Sequence, residues 1–335
     1  MQAELVAGAI MTKNRIAIAG LALLATVTAA VAQSGTYPDR PIKMVVGFTA
    51  GGGTDVVARI LSLKLSEALG QSVVVENRIG ASGLIAGEIV AKSPPDGYTL
   101  MIGTQTNLAV APVLYRKDSL NPARDFSGVA MTAVSPLVLV VNPAVAFQSL
   151  KDVIAMAKAK PGSVNYGSGG LGTTPHMSCE LFQAMAGIKL AHIAYRGEAP
   201  AINDLIGGQI PFMFSNLSAI VGNVKAGQLR AIAVTSPQRA PALPDVPTMS
   251  EAGLTGFESA TWFAMVAPTG TQQAVRGRLN AEVKRALALP DVKQRYADLG
   301  MTAEDSTPAS VDAYIKSEIA KWTKVITEAN IKAPE

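Results

Sequence analysis

Two glycine-rich turns, each set between a strand pattern and a helix pattern, are where the residue types of this sequence point most directly to chemistry. The first is Gly51-Gly52-Gly53-Thr54-Asp55. Successive glycines let the main chain approach a ligand without a Cβ in the way, and the first N–H groups of the following helix lack intrahelical acceptors. Such an end favours anions, and Thr54 can add a hydroxyl donor. Asp55 leaves a second reading open, since a side-chain carboxylate in the first turn can satisfy those N–H groups itself. The second turn, Gly167-Ser168-Gly169-Gly170-Leu171-Gly172-Thr173-Thr174-Pro175-His176, has the same chemistry, with Pro175 at a favoured first helical position. If both turns face one cleft, Gly51 to Asp55 and Ser168, Gly169, Thr173 and Thr174 can grip an anion without a buried lysine or arginine.

Catalytic readings of the same residues fare worse. Gly167 to Gly172 satisfies G-x-G-x-x-G, so a dinucleotide site is one alternative, a nucleotide (NAD/NADP)-dependent enzyme. The acidic residue expected about 20 positions on is missing, and Arg196 there suits at best a 2′-phosphate. The first turn has Val56 at the last glycine position. A G-x-S-x-G elbow would need glycine where Tyr166 stands. The only histidines, His176 and His192, form no H-E-x-x-H pair, and Cys179 is the single cysteine. No catalytic residue, metal site or cofactor is expected. His176 either caps and lines the second helix or contacts ligand. Tyr195-Arg196-Gly197 follows a strand, so Tyr195 could cover a ligand and Arg196 lend charge; an exposed loop arginine is the competing reading. Trp262 either lines the cleft or packs in the core. Asn77-Arg78 and the 80–83 loop lie on the same strand-end edge as the first turn and suit the cleft's rim.

The N-terminus sets the compartment. Lys13 and Arg15 precede an apolar run over 16–27, and Ala30-Val31-Ala32 offers small residues for signal peptidase, which predicts cleavage after Ala32. Met11 directly precedes the basic segment, so either Met1 or Met11 is the start, with 1–10 an upstream extension. The formal net charge of +4 is mild and the Lys and Arg residues are dispersed, which argues against nucleic acid. With 49% apolar residues and 5% aromatic, the chain suits an Ala/Val/Leu-rich α/β core. Cys179 reads as a small buried hydrophobe.

Positioning falls to two similar series of elements. The first reads strand 42–46, glycine turn, helix 56–69 with Val57, Ile60, Leu61 and Leu65 on one face, strand 72–76, helix 83–91 and strand 98–103. This β-α-β-α-β order implies a parallel sheet. The second runs helix 153–158, strand 164–166, the second glycine turn, helix 175–186, strand 190–194, helix 200–206, strand 211–214 and strand 229–234. Apolar runs 137–141 and 262–267, each followed by proline, read as strands crossing between lobes; helical pattern then fills 273–332. A chain crossing twice makes a hinge. Phe48, Thr104 and Asn216, at strand ends beside the turns, complete the candidate contacts with Tyr195, Arg196 and Gly197.

The order and spacing of many short pieces resemble the Bug family, the substrate-binding receptors of tripartite tricarboxylate transporters. They include Tyr37-Pro38, Phe48 with Gly51 to Asp55, Val75-Glu76-Asn77-Arg78, Pro95-Asp96-Gly97-Tyr98-Thr99 and Tyr166-Gly167-Ser168. His192, Tyr195-Arg196-Gly197, Asp204-Leu205, Gly208-Gln209, Ala226-Gly227, Leu229-Arg230-Ala231 and Leu243-Pro244-Asp245-Val246-Pro247-Thr248 continue the match. The resemblance implies a type II, Venus-flytrap periplasmic binding fold, α/β, with a mainly parallel sheet flanked by helices in each lobe. Lobe 1 is expected at 37–138 with 263–335 and lobe 2 at 139–262, after the leader 1–32. It further implies a non-catalytic, soluble, monomeric periplasmic receptor that holds a small organic acid at the two helix ends. The solute would be a dicarboxylate, tricarboxylate, acidic amino acid or aromatic acid, delivered to membrane permease subunits or, alternatively, to a signalling partner. Gly47 departs from the family's usual proline, Ser215 from its usual aspartate, and Leu108 from a commonly polar residue; the last two bear on solute identity.

Overall fold

The computed structural model describes residues 37–115 and 119–328. The leader expected over 1–32 and the end of the C-terminal helical region lie outside them. The chain divides into two units, Met1–Asp39 and Arg40–Glu335. All described secondary structure belongs to the second.

Strand β1 (Ile42–Val46) pairs in parallel with β2 (Val73–Asn77) and β3 (Thr99–Thr104), with α1 (Gly53–Leu69) and α2 (Leu84–Ala91) as the connecting helices. Helix α1 starts three residues before its apolar periodicity does, because Gly52 is extended and turns the chain into helix at Gly53. That brings Gly53, Thr54 and Asp55 into the first turn. The helix stops where Gly70 enters the left-handed region and returns its N–H to Ser66 O. Val57, Ala58, Leu61 and Leu65 are fully buried, and each buried aliphatic side chain of valine or leucine size contributes about 1.5–3 kcal/mol to docking α1 on the sheet. After β3 comes a π-helical turn, Thr106–Val110, then the short helices α3 (Ala111–Leu114) and α4 (Pro122–Asp125).

Strand β4 (Phe126–Val141) is far longer than the run read from sequence over 137–141. Its first part pairs antiparallel with β9 (Ala260–Pro268), and its last five residues pair antiparallel with β7 (Phe212–Asn216). One strand therefore sews two sheets together. The first part hid from pattern reading because it is almost wholly buried, is interrupted by bulges, and mixes Gly128, Ala130, Ala133 and Ser135 with Pro136. The second lobe adds α5 (Leu150–Ala159), β5 (Asn165–Ser168), α6 (Thr174–Ala186), β6 (Ala191–Ala194), α7 (Glu198–Ile206), α8 (Leu217–Lys225) and β8 (Arg230–Val234). Strand β5 is parallel to β6 and β7, while β8 pairs antiparallel with β4. The chain returns to the first lobe through β9 and closes with α9 (Gln273–Ala288), α10 (Pro290–Asp298) and α11 (Pro308–Glu328).

The full order is β2-β1-β3-β9-β4-β7-β5-β6, with β8 beside β4. Strand β4 exchanges β9 for β7 at Pro136/Leu137, and β9 begins at Ala260, each a few residues before the lobe limits expected from the sequence. Each lobe has its own core: Val45, Leu84, Met101, Val266 and Ile315 in one, Leu139, Tyr166, Phe182, Phe212 and Phe214 in the other. Cys179 is buried in the second. A chain that crosses at two points between independently packed cores has the connectivity of a hinge.

Candidate functional site

The first turns of α1 and α6, the strand ends at Thr104 and Asn216, and the first residue of α7 line one small cavity of about 30 Å³. Phe48, Gly52, Gly53, Thr54 and Thr104 come to it from the first lobe, and Gly169, Thr173, Thr174 and Asn216 from the second. These sequence candidates are brought together. Ligand pockets for small molecules are typically hundreds of Å³, so the lobes are shut on a space that fits little more than a water or two.

At the α1 end every glycine N–H of the turn has an acceptor. Gly51 N–H donates to Asp55 Oδ2 at 3.0 Å and Gly52 N–H to Thr49 O at 3.3 Å. Gly53 N–H donates across the cleft to Oε2 of Glu198 at 3.2 Å. Asp55 also accepts from Arg59 Nε at 2.8 Å and Asn77 Nδ2 at 3.0 Å, so its carboxylate braces the turn and is not among the cavity-lining residues. The question left open by Asp55 thus resolves by division: it serves Gly51, and a different carboxylate reaches Gly53. That carboxylate, Glu198, is buried and accepts from Ser215 Oγ at 2.9 Å, Asn216 N at 2.6 Å and Asn216 Nδ2 at 3.0 Å. Ser215, a departure from the family pattern, is one of its donors.

The second turn is knit to itself. Gly170 N–H donates to Ser168 Oγ at 3.1 Å, Gly172 N–H to His176 Nδ1 at 3.2 Å, and Thr173 Oγ1 caps His176 N–H at 3.4 Å. Ser168 Oγ lies 2.6 Å from His192 Nε2, and the two imidazoles are 4.3 Å apart between ring centroids. Ser168 and His176 therefore hold the loop from behind and do not line the cavity. Nor do Gly51, Tyr195, Arg196 and Gly197. The Tyr195 hydroxyl donates to Asp204 Oδ2 at 2.8 Å, and Arg196 is exposed. At Gly197, φ is +152° and a Cβ would collide with Thr49 of the other lobe, so this glycine permits closure. On the rim, Ser82 Oγ donates to Leu171 O at 2.6 Å, a second hydrogen bond between the lobes.

Sequence reasoning missed Thr106, Pro175, Thr261 and above all Glu198. Helix α7 was expected to start at Pro200, a favoured first position; it starts two residues earlier. The available signal was an acidic residue just ahead of a helix, where the dipole favours it. Trp262, by contrast, packs in the core: its Nε1 donates to Glu318 Oε2 at 2.9 Å and its ring meets Tyr314 edge-on. It also lines an apolar groove of about 1070 Å³ with Met177, Leu181 and Trp322, a larger space than the cavity whose wall includes no residue of either glycine turn.

Burial drives the His176 pKa down to about 3, helped by the neighbouring His192, and burial drives His192 down to about 4. Both imidazoles are held neutral while the unfolded chain takes up protons near pH 6.5. Folded-state stability is therefore expected to fall as pH drops from about 6.5 towards 4, by at most about 1.4 kcal/mol per pH unit for each histidine. Thermal melts of the wild type and of His176→Gln across that range test this; parallel curves for the two proteins would contradict it.

Residues 57–331 match the tripartite tricarboxylate transporter family receptor. Protein BugT of Bordetella pertussis is 39% identical over 318 residues, 95% of this chain and 98% of that protein. The structure of R. palustris Rpa4515 with adipate superposes with a TM-score of 0.85 at 38% identity, covering 88% of this chain and 99% of that one. That of MatC (Rpa3494) from Rhodopseudomonas palustris with bound malate gives 0.82 at 32%, covering 87% and 100%. Among the described residues no helix is long and apolar enough to cross a membrane, and no group of three or more His, Cys, Asp or Glu side chains could hold a metal ion.

Proposed function

Because the chain belongs to the tripartite tricarboxylate transporter receptor family, a family of periplasmic substrate-binding receptors, we propose that it captures a small organic acid between its lobes and passes it to the permease subunits of such a transporter. The observation that carries this reading is the meeting of two glycine-rich helix starts, one from each lobe, at a single buried cavity with no lysine or arginine in its wall. Helix N-termini hold anions by N–H groups and dipole without a cationic side chain. The adipate and malate of the two R. palustris structures support a carboxylate as the ligand class.

On this reading Phe48, Gly52, Gly53, Thr54, Thr104, Gly169, Thr173, Thr174 and Asn216 contact the solute, and Gly51, Asp55, Ser168, His176, Tyr195 and Gly197 shape the two turns. The lobes divide near 138 and 262, the leader is removed after Ala32, and the mature receptor works as a periplasmic monomer without catalysing a reaction. A nucleotide site on Gly167 to Gly172 loses support because the Gly170 and Gly172 N–H groups already serve Ser168 and His176.

Calorimetric titration of the mature chain with dicarboxylates, tricarboxylates, acidic amino acids and aromatic acids is expected to find a ligand. At 100 times its dissociation constant that ligand should add about 2.7 kcal/mol of stability. A panel that neither binds nor raises the melting temperature would sink the reading.

A further inference from the structure

Glu198 is the one ionisable side chain in the cavity wall. Its Oε2 lies at the Gly53 N–H of α1, the position where that helix end would receive a solute carboxylate, and its other contacts, Ser215 Oγ and Asn216 N and Nδ2, are all neutral donors of the second lobe. The carboxylate travels with α7, so it reaches α1 only as the lobes shut. A second anionic group brought to the same helix end would sit against it in a closed, poorly hydrated space with no counter-charge.

The rest of the wall is polarised to match. Asn216 Oδ1, beside Glu198, is a buried acceptor without a partner, and so calls for a donor. The hydroxyls of Thr174, at the start of α6, and of Thr261 are likewise buried without partners and line the same cavity. One side of the site thus offers acceptors, while the other offers a helix N-terminus and a hydroxyl.

We propose that Glu198 acts as a resident carboxylate at the α1 end and thereby sets the solute class: a single carboxylate lodged at the start of α6, with an amide or amine at the other end facing Asn216 and Glu198, in preference to a dianion. This rests on the receptor reading above and narrows it.

The test is calorimetric titration of wild type, Glu198→Ala and Glu198→Gln with matched pairs of aliphatic and aromatic dicarboxylates and their monoamides. In the wild type the monoamide of the fitting pair is expected to bind about tenfold or more tighter than the diacid. Both variants should lose that preference, with Glu198→Ala gaining affinity for the diacid as the α1 end is vacated. A wild type that prefers the diacid, or a monoamide-to-diacid ratio unchanged in both variants, overturns the assignment of Glu198 while leaving the receptor reading standing. Failure of every pair to bind any of the three proteins removes both.

Discussion

Replacing Gly53 with valine is expected to weaken solute binding by about a hundredfold or more, roughly 2.7 kcal/mol, while barely lowering the melting temperature. Gly53 is the first residue of α1, where its backbone is ordinary helix, so a side chain adds no conformational strain. What it adds is bulk at the point of closure. Even a Cβ would stand 3.1 Å from Ser218 Oγ and 3.2 Å from Asn216 Cβ, and both belong to the opposite lobe. Valine's two further methyl groups cannot be accommodated there without parting the lobes, whereas in an open receptor they face water. The clash thus exists only with the lobes closed, which is why affinity and stability should separate. Calorimetry and thermal melts of the same preparation test it. Unchanged affinity would mean that the two lobes do not meet at Gly53, and a collapse in melting temperature would mean that the residue serves the fold.

Asp55→Ala is expected to act the other way, on stability first, at a cost of about 2–3 kcal/mol. Asp55 is 2% exposed and gathers the Gly51 N–H, the Arg59 guanidinium and the Asn77 amide; alanine would leave the Gly51 N–H without its acceptor and the Asn77 amide with Phe48 O alone. Burial pushes its carboxyl pKa up, but the hydrogen bonds from Arg59, Gly51 and Asn77 outweigh that and hold it below the usual carboxylate value. A depressed pKa contributes stability that is present above about pH 3.9, the unfolded value, and is lost as pH falls through the folded one. The gap between wild type and Asp55→Ala in chemical denaturation should therefore be widest near neutrality and close in acid. A gap independent of pH would show that packing, not the ionised carboxylate, carries the effect.

The elements around the site were legible to different degrees for physical reasons. Helix α1 announces itself because it is half-buried, so Val57, Leu61 and Leu65 recur at helical spacing between polar residues. Strand β4 shows only its last five residues, an apolar run, because nearly all of its 16 residues are buried and no alternation survives in the first part. The boundary of α7 was misplaced by two residues, a small shift in chain position that moved a carboxylate from a loop into the cleft. Ser168 and His176 have the right chemistry for ligand contacts and the right neighbours in sequence. Packing instead turns them towards His192 and the back of the loop.

Local chemistry was determined by the sequence alone: two helix starts rich in glycine and hydroxyl groups, the αβ order that sets each beyond a strand end, and the motif series that marks the family. Each depends on residues close together in the chain, where backbone freedom and spacing act directly. Which groups serve those helix ends was decided only by the tertiary structure. Asp55 is drawn aside by Arg59 and Asn77, and Gly53 meets Glu198 from 145 positions away. That pairing follows from the strand β4 joining two sheets and the lobes shutting about it, so no stretch of sequence near either residue encodes it.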